Sequence, residues 1–199
     1  MKLLKNIEKK INVVIENLRK NGFNVLNFKT TEEAKQEILK MIKEEEIVGV
    51  GGSLTIRELG VIEELMARGN KVIHHWLPNT FIDEIKTARR KAVRMSDVYL
   101  TSTNAITLDG QLVNMDTFGN RVAAMIYGPP KVIIVAGYNK IVKDIDDGFK
   151  RIQEEAAVKN ATRLNVEFPQ GLCKVATIIY QRPNDTDITI ILIDAEIGY

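Results

Sequence analysis

Short apolar runs of strand length alternate with segments of helical apolar spacing along most of this chain, and that alternation constrains the fold more than any other feature. Ile47-Val48-Gly49-Val50-Gly51 reads as a buried strand that ends in Gly51-Gly52-Ser53. Leu54 to Arg68 follows with apolar residues at helical intervals (Leu54, Leu59, Ile62, Leu65, Met66) before Gly69. Lys71 to Trp76 reads as the next strand, Thr80 and Asp83 open a helix through Arg94, and Asp97 to Leu100 starts another buried strand. Strands that alternate with helices are joined by crossovers, and crossovers leave neighbouring strands parallel. The expected fold is α/β with three layers, α/β/α, around a mainly parallel sheet.

The flanking segments add to this frame. Leu3, Leu4, Ile7, Ile11, Val14, Ile15 and Leu18 recur at three- and four-residue steps, which predicts an N-terminal helix over Lys2 to Lys20 closed near Gly22. Phe23 to Phe28 alternates as a short strand, and Thr30 with Glu33 forms a capping-box signature for a helix to about Glu45. Ala105 to Asp109 and Gln111 to Met115 flank Asp109-Gly110, so an inserted β-hairpin interrupts the rhythm. A short helix from Asn120 to Tyr127, a stop at Gly128-Pro129-Pro130, the strand Lys131 to Ala136 and a long helix from Val142 to Asn160 come next. Val175 to Tyr180 and Ile188 to Ile193 read as two closing strands. With 199 residues and 45% hydrophobic content the chain suits one domain, residues 1–199, in which residues 1–30 are an N-terminal extension of helix and strand.

Several function classes are disfavoured. A formal charge of +2 lacks the basic excess of a nucleic-acid binder. Cys173 is the single cysteine, and with His74 and His75 as the two histidines no structural zinc of the Cys/His kind and no iron-sulfur cluster is expected in this chain, and no metal site. No apolar stretch matches a signal peptide or a spanning helix, which predicts a cytoplasmic protein with no membrane partner. No flavin or nicotinamide fingerprint is present, so the cofactor is unknown, and a homo-oligomer stays open.

In an open parallel sheet, ligands bind beyond the carboxyl ends of the strands. Four stretches sit there. Gly51, Gly52, Ser53 and Thr55 form a glycine turn that can present amides to an anion, or simply a tight turn with a helix cap. Thr103 and Asn104, in Thr101-Ser102-Thr103-Asn104, either contact a ligand or satisfy their own backbone. Asn114, Asp116, Gly119, Asn120 and Arg121 leave the hairpin and enter a helix, where Asp116 is the candidate acid or base and Arg121 a clamp for carboxylate or phosphate. The same pair also reads as a helix cap with its ion-pair partner. Asn139 and Lys140 follow the Lys131 strand, with Lys140 meeting an anion or solvent. Adjacent His74 and His75 point to opposite faces of a strand, so at most one faces the crevice. Cys173 reads as a structural thiol, and the basic run Lys86 to Lys91 as a solvated helix face.

The run Ser96-Asp97-Val98-Tyr99-Leu100-Thr101-Ser102-Thr103-Asn104-Ala105-Ile106-Thr107-Leu108-Asp109-Gly110-Gln111-Leu112-Val113-Asn114 resembles the LUD (lactate-utilisation) domain family, as do Gly119-Asn120-Arg121-Val122-Ala123-Ala124 and Val135-Ala136-Gly137-Tyr138-Asn139-Lys140-Ile141-Val142. The Gly51-Gly52-Ser53 turn and the segment Ala195-Glu196-Ile197-Gly198-Tyr199 agree with it. The resemblance implies a fold similar to the ribose-5-phosphate isomerase, glucosamine-phosphate deaminase and CoA-transferase group. It also implies a role in lactate or 2-hydroxy-acid utilisation, as an accessory or catalytic component beside redox or iron-sulfur subunits of a lactate-oxidising system. Relatives often carry a cysteine-rich segment before the last strands, whereas Arg163 to Val175 retains only Cys173. The expected ligand is a small anionic metabolite. Rival readings are a self-sufficient isomerase, hydrolase or transferase acting on a sugar phosphate or CoA ester, and a non-catalytic binding or assembly subunit.

Overall fold

The computed structural model describes residues 2–76, 78, 81–165 and 173–199; Thr80 and the segment 166–172 lie outside the described residues. The first half runs α1 (Lys2–Lys20), β1 (Asn24–Phe28), α2 (Thr31–Met41), β2 (Val48–Val50), α3 (Leu54–Leu59), α4 (Val61–Ala67), β3 (Val72–Ile73), α5 (Ile82–Arg94) and β4 (Val98–Thr101). The second half runs β5 (Ala105–Thr107), β6 (Leu112–Asp116), α6 (Asn120–Tyr127), β7 (Lys131–Gly137), a 3-10 turn (Tyr138–Lys140), β8 (Ile141–Val142), α7 (Ile145–Arg151), a π-helical turn (Ile152–Ala156), α8 (Ala157–Leu164), β9 (Val175–Ile179) and β10 (Asp187–Ile193).

Six strands form the main sheet in the order β1-β10-β7-β4-β2-β3, and every pairing in it is parallel. Residues alternate faces along each strand, and both faces are apolar. Val132 and Ile134 pack with Val14 and Leu18 of α1, Ala92 of α5 and Met125 of α6. Ile133 and Val135 pack with Ala34 and Ile38 of α2, Ile56 of α3 and Ile62 and Leu65 of α4. Continuous apolar runs such as Lys131 to Gly137 follow from this double burial, and the result is the expected three-layer α/β/α arrangement.

The hairpin is more than an insertion. Strands β5 and β6 pair antiparallel, and β8 and β9 flank them to give a second sheet in the order β8-β5-β6-β9. The two closing strands therefore separate: β10, buried along Ile188 to Ile193, enters the main sheet between β1 and β7, while the more exposed β9 becomes an edge of the second sheet. Gly110, at φ +77°, lies so close to Leu18 of α1 that a Cβ would come within 2.6 Å of its backbone nitrogen. Asn17 of the same helix and Asn21 just after it donate to the carbonyls of Leu108, Asp109 and Gly110. The N-terminal extension is thus tied into both sheets, through β1 against β10 and α1 against the hairpin turn.

Other boundaries also differ from expectation. The helix expected over Leu54 to Arg68 breaks at Gly60, whose φ of +68° ends α3 and starts α4. Strand β3 stops at Ile73, before the histidines. The helix expected from Val142 to Asn160 starts only at Ile145, because Ile141 and Val142 pair with Ile106 and Thr107 and Asp144 accepts from the Asp147 N–H as the N-cap. That helix continues through a π-helical turn, the signature of one extra residue in the ladder. Among the described residues no helix is long and apolar enough to cross a membrane.

Candidate functional site

Strands β2 and β4 end side by side, Val50 against Leu100, so the chain leaves them as two adjacent turns at the carboxyl edge of the sheet. In the first, the Gly51 N–H donates to the Leu100 carbonyl at 2.9 Å and the Ser53 N–H to the Gly51 carbonyl at 2.8 Å. The Ser53 hydroxyl accepts from the Ile56 N–H and caps α3, a helix of six residues. Two amides of the glycine turn are thus committed within the protein. Gly52 faces outward, with His75 the nearest side chain to a Cβ built there, at 3.5 Å.

In the second turn the polar side chains hold one another. Asn114 Oδ1 accepts from the Thr103 hydroxyl at 3.0 Å and the Asn104 N–H at 3.1 Å, and Asn104 Oδ1 accepts from the Met115 N–H at 3.0 Å. Arg121 closes this network. Its Nη2 donates to Asn104 Oδ1 at 2.7 Å and to the Met115 carbonyl at 2.8 Å, and its Nε donates to Asp116 Oδ1 at 2.8 Å. Asp116 Oδ2 accepts from the Val122 N–H in the first turn of α6 at 3.2 Å. Both Asp116 oxygens are therefore engaged, in the cap and ion pair that the spacing allowed beside the catalytic reading.

Strand β7 leads into the 3-10 turn that carries Lys140. Its side chain is not solvated: the residue is 1% exposed, and Nζ donates to Thr55 Oγ1 and Ser102 Oγ, both at 2.8 Å. Burial, helped by the Arg151 and Arg121 guanidiniums, pushes the amine down to about 7.

These turns surround a cavity of about 480 Å³. Nine sequence-selected residues line it: Gly52, Ser53, Thr55, Thr103, Asn104, Asp116, Asn120, Arg121 and Lys140. Gly51, Asn114, Gly119 and Asn139 do not. Gly51 continues the sheet ladder and Asn114 is wholly buried beneath the hairpin. Gly119 is the positive-φ cap of α6, and Asn139 binds backbone groups of Ile197 and Gly198.

The cavity also contains residues that local sequence did not reveal. Arg89 of α5 lies over the Phe118 ring, 4.0 Å from its centroid, so the basic run Lys86 to Lys91 is not wholly a solvated face. Arg163 of α8 donates to the Tyr199 hydroxyl and Asn160 Oδ1, both at 2.8 Å. Ser102 and His75, from stretches the sequence did mark, complete part of the wall with Trp76 and Cys173. His75 lines this cavity, and both histidines line a second groove beside Met66 and Met95. Burial and the charges of Arg89, His74, Arg163 and Arg57 hold the His75 imidazole down at about 4, hence neutral at pH 7. Burial pushes the Cys173 thiol up, against thiolate character. The lining guanidiniums outnumber the lining side-chain carboxylates: among the described residues Arg89 and Arg163 have no carboxylate partner, while Asp116 is neutralised by Arg121. The arrangement suits a small anion.

Comparison with known proteins extends the fold description. The structure resembles the crystal structure of a DUF162 family protein from Deinococcus radiodurans with a TM-score of 0.55 and 12% sequence identity, over 94% of this chain and 98% of that one. At that identity the likeness concerns the fold. Comparison with curated proteins gave no match. The sequence model of the LUD domain matches residues 11–193, which spans both sheets and the lining of the cavity from Gly52 to Cys173, and the chain belongs to the LUD domain family.

Proposed function

We propose that this LUD-family chain binds a small anionic metabolite in the cavity and serves lactate or other 2-hydroxy-acid utilisation as an accessory or catalytic component. The observation that carries the reading is the excess of positive charge: Arg89 and Arg163 line the cavity, where Asp116, the single side-chain carboxylate among the described lining residues, is already paired. A cavity of about 480 Å³ also matches the roughly 300–1,000 Å³ of small-molecule sites. The neutral His75 supplies a hydrogen-bonding group for orientation.

Titration calorimetry with lactate, pyruvate, a sugar phosphate and a CoA ester tests it. The expected result is binding of lactate or pyruvate, weakened in Gly52→Asp because the added carboxylate at the cavity lining repels an anion. That variant should fold, because a Cβ at Gly52 meets only the His75 ring at ordinary contact distance. Preference for the sugar phosphate or CoA ester would replace 2-hydroxy acids with the transferase or isomerase reading. Binding of none of the four would remove the cavity as an anion site. Deletion of the gene should slow growth on lactate and spare growth on glucose.

A further inference from the structure

We propose that the Lys140 amine is the reacting group of this cavity and forms an imine with a small carbonyl compound that carries an anionic group, a 2-oxo acid being the simplest case. The choice of an anionic substrate rests on the reading above; the reactivity of the amine rests on its surroundings.

Ser102 donates its own hydroxyl hydrogen to the Thr103 carbonyl at 3.2 Å, so toward Lys140 its oxygen can only accept. Thr55 Oγ1 is the second acceptor. Among the described residues no carboxylate lies within ion-pair distance of Nζ. The charged groups that face it are Arg121 from α6, Arg151 from α7 and Glu58 from α3. Arg121 is held by Asp116, and Arg151 donates to the Asn104 and Asn139 carbonyls, so two fixed cations oppose a third. A neutral primary amine has two N–H groups and one lone pair, whereas an ammonium has three N–H groups and no lone pair. Two hydroxyl oxygens take the two N–H groups of the neutral form and leave the lone pair in the third direction. A depression from 10.5 to about 7 raises the free-amine fraction at neutral pH by on the order of a thousandfold. A lysine kept only for structure gains nothing from this arrangement, since a desolvated amine without a counter-ion lowers stability.

The step balances without a redox partner. The Nζ lone pair attacks the carbonyl carbon and forms the C–N bond as the C=O π pair moves onto oxygen. One nitrogen proton passes to that oxygen through a neighbouring hydroxyl, giving a carbinolamine. Protonation of its hydroxyl by solvent and loss of water leave the C=N bond with the remaining proton on nitrogen. The products are one iminium and one water from one amine, one carbonyl and one proton.

The test is reductive trapping on the whole chain. Pyruvate, and separately the neutral ketone hydroxyacetone, are incubated with the protein and cyanoborohydride at pH 7, and the labelled lysine is located by peptide mass mapping; lactate binding is followed by calorimetry in parallel. The expected result is an adduct at Lys140, equal to the mass of pyruvic acid less one oxygen, about tenfold or more faster than at any other lysine and absent in Lys140→Met. Faster labelling by pyruvate than by hydroxyacetone supports both readings. Equal labelling by the two ketones keeps the reactive lysine and overturns the anionic substrate. Lactate binding without any adduct at Lys140 overturns the imine and leaves the anion site standing. Labelling spread evenly over the lysines, or none with either ketone, overturns the proposal irrespective of whether Lys140→Met folds.

Discussion

The guanidinium of Arg121 reaches the Asp116 carboxylate, the Asn104 amide oxygen and the Met115 carbonyl together, and the Asp116 side chain in that pair is 7% exposed. Such a pair differs in consequence from a surface salt bridge. Removing one partner of an exposed pair costs about 1 kcal/mol or less, whereas removing one partner of a buried pair strands a desolvated charge and costs about 3–5 kcal/mol. Arg121→Ala is therefore expected to lose about 3 kcal/mol or more in urea unfolding, and Asp116→Asn less, because an amide oxygen can still accept from the Val122 N–H. A loss for Arg121→Ala under 1 kcal/mol would show that the pair is solvated in solution. The chemistry of these two residues was legible from their five-residue spacing, since a hairpin exit and a helix start are local features. Lys140 is the opposite case. Nothing within its own segment distinguishes a solvated lysine from one held by Thr55 and Ser102, which arrive from two other strands' exits.

At the scale of elements, the segment after β10 builds the site from the far end of the chain. The Gly198 N–H donates to Glu58 Oε2 at 2.7 Å, and the Gly198 carbonyl accepts from Asn139 Nδ2. Gly198 has φ +60°, and a Cβ there would lie 2.2 Å from Thr55 Oγ1, the acceptor for Lys140. That approach brings Tyr199 to Arg163 and Asn160 at the cavity wall. Gly60 has a similar φ of +68° but open space around it. The two glycines should separate in a paired experiment. Gly60→Ala is expected to cost about 1 kcal/mol from backbone conformation alone and leave pyruvate affinity unchanged. Gly198→Ala should cost about 1–3 kcal/mol and also weaken pyruvate binding, because the clash displaces Thr55 or the tail. Equal affinities in calorimetry would detach the tail from the site.

For the whole molecule, the titratable groups that line the cavity link its chemistry to folding stability. Lys140 has a folded pKa near 7 against 10.5 when free, so between those values the unfolded chain binds a proton that the native chain does not. Stability should accordingly rise with pH across that window and lie at its lowest, for this group, at and below neutrality. His75 acts in the same sense at lower pH: its folded value of about 4 lies below the ordinary 6.5, so stability it supports above 6.5 is lost as pH falls toward 4. Lys140→Met is expected to raise stability at pH 7 by about 2–4 kcal/mol after loss of its two hydrogen bonds, and to flatten the rise between neutral and alkaline pH. Urea unfolding of both proteins from pH 5 to 10 measures this. A destabilised Lys140→Met would mean that the amine is charged and well satisfied in the native state.

The amino-acid sequence by itself determined the parallel α/β frame, the position of the hairpin and the ends of β2, β4 and β7 as the edge where the candidate site lies. Apolar periodicity, capping residues and glycine turns act over a few residues, and the chain carries them openly in Thr30 with Glu33, in Asp109-Gly110 and in the apolar run from Val132 to Ala136. Only the tertiary structure decided that the hairpin grows into a second sheet with β8 and β9 and that β10 and β9 part company. It also decided that Arg89, Arg163 and Tyr199 join Lys140 around one cavity. Register between distant strands and the burial of a single amine depend on contacts between segments far apart in the chain, and a residue's neighbours in sequence carry no record of those contacts until the crossovers bring them together.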